Sequence, residues 1–180
     1  MSIITVMFAG CESEGIIGSV TWRIENGTLT VMAKGPMPDY SSVDNHVPWY
    51  CYRSYIRTVV IGNEVTGIGD YAFAQCDALT SVTLPNSVTG IGFSAFDHCY
   101  SLTSAVLGNR VTTVEEWAFS GCYALMSVTS LNPTPPYIRR NVFDGIDLNK
   151  ATLRVPAESV EAYRAAEVWK EFETVTAYAP

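Results

Sequence analysis

Apolar residues recur through the middle of the chain with a period of 23. Residues 56–78 read IRTVVIGNEVTGIGDYAFAQCDA, 79–101 read LTSVTLPNSVTGIGFSAFDHCYS and 102–124 read LTSAVLGNRVTTVEEWAFSGCYA, with no gap between copies. A fourth copy begins at Leu125 with LMSVTSLNPTPPYIRRNVFDGID. In it Phe143 and Ile146 fall one residue late relative to Phe119 and Cys122, so this unit has drifted and gained an insertion. A fifth strand-like stretch, ATLRVP, follows at Ala151–Pro156. Self-similarity at a fixed period of this size marks a stacked-repeat architecture, because one such unit cannot bury its apolar face alone.

Eight columns are apolar in all three clean copies. They are Ile56/Leu79/Leu102, Val59/Val82/Ala105, Ile61/Leu84/Leu107, Val65/Val88/Val111, Ile68/Ile91/Val114, the Ala-Phe pairs at 72–73, 95–96 and 118–119, and Cys76/Cys99/Cys122. The first three columns have the L-x-x-L-x-L spacing of a short strand with one buried face, the strand signature of a leucine-rich repeat. The Ala-Phe-x-x-Cys spacing predicts one helical turn, since side chains three and four residues apart share a helix face. Each unit is therefore expected to be a strand, a second short extended piece and a helical turn, stacked in parallel as a short α/β solenoid. Asn63, Asn86 and Asn109 recur after Gly62, Pro85 and Gly108. They are expected to close the strand exit in left-handed turns, the alternative being a ligand-binding column.

The flanks read as caps. Val20–Ala33 alternates in polarity around Asn26-Gly27, the strongest short hairpin signal, which pairs Ile24 with Leu29 and Trp22 with Val31. Residues 35–50, with Pro36, Pro38 and Pro48, are expected to be a loop. Tyr40, Trp49, Tyr50 and Tyr52 either clamp it to the solenoid end or form an exposed aromatic platform. At the other end Ala157–Phe172 is expected to be one helix behind Pro156, with Val160, Tyr163, Val168, Trp169 and Phe172 facing the last rung. Three regions follow: residues 1–55 as segment and hairpin cap, 56–156 as repeats, and 157–180 as helical cap and tail.

Composition narrows the function classes. Of 180 residues 48% are hydrophobic and only 16% charged, which excludes a disordered chain. The formal net charge of −7 argues against a nucleic-acid surface or a polybasic membrane patch, and no apolar run reaches the roughly 20 residues of a membrane helix.

The phrases VTGIGDYAFAQC, LTSVTLPNSVTGIGFSAF and VEEWAFSGC resemble the BspA-like leucine-rich repeats of bacterial surface proteins. GSVTWRIENGTLTVMAKGPMPDY upstream and ATLRVPAESVEAYRAAEVWKEF downstream are similar to segments that flank those repeats, so the likeness covers roughly residues 18–173. It implies a right-handed solenoid, an extracellular or cell-surface location, and a role in adhesion or protein binding.

No catalytic constellation stands out. Cys76, Cys99 and Cys122 lie 23 apart, unlike zinc-ligand pairs, and are expected to be buried free thiols; five cysteines cannot all pair within one chain. His98 is expected to be an exposed loop residue. His46 lies near Asp39, Asp44 and Cys51, so a Cys-His dyad there is the one hydrolase reading. Asp144-Gly145-Ile146-Asp147 lacks the oxygens of a calcium loop. Asn26-Gly27-Thr28 is a glycosylation sequon that the hairpin turn already explains. No metal or cofactor is expected. Ile3–Ala9 reads as a first strand or ordered tail. Ala9-Gly10-Cys11 faintly resembles a lipobox, which would make Cys11 a lipid anchor.

Function is therefore expected on positions that vary between repeats. On the strands these are Thr58, Val60, Ser81, Thr83, Ser104, Val106, Ser127 and Thr129, a small, uncharged, hydroxyl-rich face. On the turns they are Tyr71, Phe93 and Trp117, an aromatic edge beside Asp70 and Glu116. The leading expectation is a non-enzymatic module binding a protein or glycan. The alternative is an assembly subunit that packs on itself or a carrier.

Overall fold

The fold is a computed structural model that describes residues 10–41 and 46–178. Ile3–Ala9 and Asp44 lie outside the described residues.

Three strands open the chain as an antiparallel meander: β1 (Glu14–Ile17), β2 (Val20–Glu25) and β3 (Thr28–Ala33). Asn26 and Gly27 both have left-handed φ, 51° and 77°, which a two-residue turn matching the strand twist requires. The register pairs Ile24 with Leu29 and Trp22 with Val31, and all four are buried, as the alternation predicts. β3 then pairs in parallel with the first repeat strand, Leu29 beside Val59 and Val31 beside Ile61.

From there the chain winds as a β-solenoid of about five turns. The repeat strands β5 (Thr58–Ile61), β7 (Ser81–Thr83), β9 (Ser104–Leu107), β11 (Ser127–Ser130), β13 (Thr152–Val155) and β14 (Thr174–Ala177) stack in parallel on β3, completing a nine-stranded sheet. A second, five-stranded sheet comprises β4 (Gly35–Pro36), β6 (Val65–Ile68), β8 (Gly90–Ile91), β10 (Thr113–Val114) and β12 (Tyr137–Ile138). Every residue of the eight apolar columns is buried between the sheets and the turns that close each rung. Phe73, Phe96, Phe119 and Phe143 stack ring on ring along the axis, capped by Trp49 at one end and by Trp169 and Phe172, edge-on, at the other.

The expected helical turn is absent, which corrects the α/β class to a β-solenoid. The N–H groups of Ala72, Ala74 and Cys76 donate three residues back, to Gly69, Tyr71 and Phe73. Those of Tyr71, Phe73 and Gln75 donate instead to Phe93, Ala95 and Asp97 of the next rung. Left-handed φ at Tyr71 (55°) and Gln75 (59°) makes this alternation possible. A lone helical turn would leave its first N–H groups unpaired, whereas this run pairs each of these donors. Close approach of neighbouring rungs also explains Gly69, where a Cβ would overlap the Pro38 carbonyl.

Three further expectations change. None of Asn63, Asn86 and Asn109 is left-handed; the ladder works across rungs, Asn86 Oδ1 accepting the Asn109 N–H at 2.9 Å. The stretch expected as a loop is half a rung: Gly35–Pro36 is a strand, and Met37 and Tyr40 donate N–H bonds to the carbonyls of Gly67 and Asp70. The C-terminal helix is broken. A 3-10 turn at Ala157–Ser159 and α1 (Val160–Ala165) give way to a left-handed Val168 (φ 65°), a 3-10 turn at Trp169–Glu171 and then β14. The break carries Trp169 onto Phe143 while its Nε1 donates to the Pro136 carbonyl at 2.8 Å, satisfying a buried polar group. Tyr163, also buried, donates to the Asn132 carbonyl at 2.7 Å.

Candidate functional site

The two faces singled out by sequence differ in shape. On the nine-stranded sheet Thr58, Ser81, Ser104 and Ser127 fall in one register line, and Thr83, Val106 and Thr129 in another. Thr58, Val60, Ser81 and Thr83 are exposed, and Ser104, Val106 and Ser127 are half-buried. Thr129 is only 5% exposed and falls out of the set, because its short side chain lies in register between Val106 and the longer Arg154.

The turn face is concave. A groove of about 550 Å3 runs across four successive rungs, within the range of roughly 300–1,000 Å3 of small-ligand clefts. Tyr71, Phe93 and Trp117, the predicted aromatic edge, all line it and are half-buried. Gln75, Asp97 and His98 line it beside them, and Tyr123 and Asp144 lie toward its far end. The N-terminal end is walled by His46, Tyr50 and Arg53. The His46 ring stacks on Tyr50 at 4.1 Å, and the Arg53 guanidinium lies 4.0 Å from the Tyr50 ring centroid.

Backbone geometry sets these side chains. Tyr71, Ser94, Trp117 and Asn141 occupy one turn position, with φ of 55°, 51°, 63° and 63°; Gln75, His98, Gly121 and Gly145 occupy a second, with φ of 59°, 58°, 68° and 79°. Left-handed backbone costs a side-chain-bearing residue about 1–2 kcal/mol and suits Gly or Asn best. Tyr71 and Trp117 hold it nonetheless. Carboxylates brace the loops: Asp39 Oδ1 accepts the Asp70 N–H at 3.0 Å, and Asp70 Oδ1 accepts the Phe93 N–H at 2.6 Å. Burial raises the Asp70 carboxyl above its ordinary value; the bond from Phe93 opposes this, and the nearby Asp39 and Glu115 charges add to it.

A model of the BspA type leucine-rich repeat region, in six copies, matches residues 47–164, well over half of the chain. The chain belongs to this family. In structure it is similar to a leucine-rich repeat protein from Eubacterium ventriosum, with a TM-score of 0.62 and 23% identity over 91% of this chain and 43% of that one. A leucine-rich repeat protein from Bacteroides ovatus aligns at 0.47 and 23%, over 90% and 40%. A leucine rich cell surface protein from Faecalibacterium prausnitzii aligns at 0.42 and 21%, over 94% and 56%. The chain thus spans less than half the length of the first two, and these identities bear on fold alone. No curated protein matches the chain.

The cysteines divide cleanly. Cys11 and Cys51 form a disulfide with Cα atoms 6.3 Å apart. This removes the two less favoured readings of these cysteines, since neither a lipid-anchor thiol at Cys11 nor a nucleophilic thiolate at Cys51 exists while the sulfurs are bonded to each other. Cys76, Cys99 and Cys122 of the BspA-type repeats are free and buried. Cys99 and Cys122 Sγ donate to the carbonyls of Phe73 and Phe96 at 3.2 and 3.1 Å. Burial pushes the Cys76 thiol up to about 12 and raises Cys99 as well. Because the thiolate is the reactive form, the native protein is expected to show no titratable thiol. Unfolding should expose three and added reductant five. Reaction of any thiol in the native state would contradict this placement.

His98, expected as an exposed loop residue, lines the groove with Nδ1 2.8 Å from Asp97 Oδ1. Among the described residues no group of three or more His, Cys, Asp and Glu is placed to hold a metal ion, and no helix is long and apolar enough to cross a membrane. Sequence reasoning found the aromatics of the groove but not Arg53, Gln75 and Asp97. For Gln75 a signal existed: the column Gln75, His98, Gly121 varies next to the unvarying Cys column. Arg53 carried none, because it follows the 3-10 turn at Tyr50–Tyr52, ahead of the first clean repeat.

Proposed function

We propose that the chain is a non-enzymatic recognition module of a bacterial cell-surface protein, binding an extracellular protein or glycan through the groove on its turn face. The observation that carries this reading is the convergence of Tyr71, Phe93 and Trp117 from three rungs on one concavity of about 550 Å3. Aromatic side chains in a cleft supply contact area at small entropic cost. The strand face, with Thr58, Val60, Ser81, Thr83, Ser104, Val106 and Ser127, offers only small side chains on a regular sheet and is the weaker surface. A Cys11–Cys51 disulfide supports an oxidising compartment, in keeping with export. The proposal includes right-handed winding, with residues 1–55 and 157–180 as caps on the repeats of 56–156.

Labelled protein should bind at least one member of a panel of matrix proteins and immobilised glycans, and a Tyr71→Ala/Trp117→Ala variant should lose that binding while staying folded. Binding that survives the double substitution removes the groove from the reading. A fully silent panel removes recognition itself.

A second reading, an assembly subunit, is favoured by one observation. Among the described residues the sheet ends at β1, an edge strand with Ile16 77% exposed, and such an edge is a template for pairing with another strand. Light scattering that finds a monomer at every concentration would dismiss self-assembly.

A further inference from the structure

We infer that the turn-face groove takes an uncharged oligosaccharide, whose ring faces stack on Tyr71, Phe93 and Trp117 and whose hydroxyls bond Gln75, Asp97 and His98. The inference deepens the recognition reading above and rests on it.

Three observations lead to this chemistry. The first is backbone strain at two positions of the turn. Ser94 and Asn141 occupy the same left-handed position as Tyr71 and Trp117, so packing there demands no ring. Likewise Gly121 and Gly145 occupy the easy form of the position that Gln75 and His98 hold. Ser94 and Gly121 line the groove as well, yet Tyr71, Gln75, His98 and Trp117 carry long or bulky side chains on left-handed backbone there. Strain of this kind, seen in the structure, points to function.

The second is the kind of groups present. Half-buried rings alternate with planar polar side chains, and the charges are mixed: Arg53 against Asp97 and Asp144. A strongly acidic or basic ligand finds no single-sign field here. A sugar needs none, because it presents C–H faces to rings and hydroxyls to carboxylate, imidazole and amide groups.

The third is what the groove does not offer. Tyr71, Gln75, Ser94 and His98 direct their backbone N–H groups to Phe93, Asp97, Glu116 and Ser120 of the next rung. An extended peptide gains affinity from main-chain bonds to a free strand edge, and these donors are already committed. Recognition must run through side chains, which favours a glycan over a peptide.

The test is titration of the whole chain with cellotetraose, mannotetraose and triacetylchitotriose, beside a heparin-derived tetrasaccharide and a mixed-charge peptide library. Of the four tryptophans only Trp117 is not buried, so its fluorescence reports on the groove. At least one neutral oligosaccharide is expected to bind and shift that emission. Tyr71→Ala and Trp117→Asn should each weaken binding about tenfold or more, the loss of one stacked ring. Trp117→Asn should melt at or above the temperature of the parent, since Asn suits left-handed backbone and already stands at 141. A marked drop in its melting temperature with no effect on binding would assign Trp117 a structural role and overturn the inference. Silence from all three neutral oligosaccharides, or tighter binding of the heparin fragment, would overturn it too. Peptide binding lost in Trp117→Asn would sink the glycan class but keep the groove as a recognition site. A ligand unaffected by Trp117→Asn and Tyr71→Ala but lost in Val60→Arg would move recognition to the strand face and sink both readings.

Discussion

Truncating Phe96 to alanine is expected to destabilise the protein by about 3–5 kcal/mol, the range for removing a large ring from a core that cannot collapse around the gap. Phe96 is fully buried, and its ring centroid lies 5.2 Å from that of Phe73 and 5.1 Å from that of Phe119. In a globular core a cavity can be relieved from several sides. In a solenoid each rung touches only the rungs above and below it, so a hole in the central ring weakens both interfaces at once. Stacked aromatic pairs add about 0.5–1.5 kcal/mol each beyond area burial, and Phe96 takes part in two. Denaturant titration should show a lower midpoint, most of which Phe96→Leu restores. Tyr123, 62% exposed, is the control: its replacement by alanine should stay within about 0.5 kcal/mol. A Phe96→Ala loss below about 1 kcal/mol would mean that the ring ladder does not hold the rungs together.

Replacing Cys51 by serine is the second large effect, with an expected loss of about 2–4 kcal/mol for a cross-link closing a loop of this length. Cys11 and Cys51 are 40 residues apart, and the loop between them contains β1, β2, β3 and β4. The cross-link joins the residues that precede β1 to the 3-10 turn at Tyr50–Tyr52, beside the Trp49 that caps the ring ladder. The loss should be local. Hydrogen exchange is expected to lose protection across β1 and β2 while β9, β11 and β13 keep theirs, because only the N-terminal end depends on the link. Reductant should mimic the substitution in the parent and change nothing further in the variant. Equal melting temperatures for parent and variant, with and without reductant, would argue that the pair contributes nothing to the fold.

What the sequence determined was whatever recurs. The 23-residue period placed the eight buried columns, the repeat strands and the stacked Phe ladder, because each rung imposes the same local constraint and errors in one copy are corrected by the next. The Asn26-Gly27 hairpin was equally legible, since two residues alone set its turn and its alternation sets its register. At the turns a local pattern is ambiguous: Ala-Phe-x-x-Cys puts the same side chains on one face whether the backbone is a helical turn or a run of tight turns. Only neighbouring rungs decide between them, by accepting the N–H groups of Tyr71, Phe73 and Gln75. The half-rung at Gly35–Tyr40, the break at Val168, β14 and the Cys11–Cys51 pair lie outside the period, so no second copy announces them. The groove belongs to the same class. Its aromatics were visible as variable positions, but Arg53, Gln75, Asp97 and His98 join Tyr71, Phe93 and Trp117 only when rungs about 5 Å apart stack, a contact across sequence that no local pattern encodes.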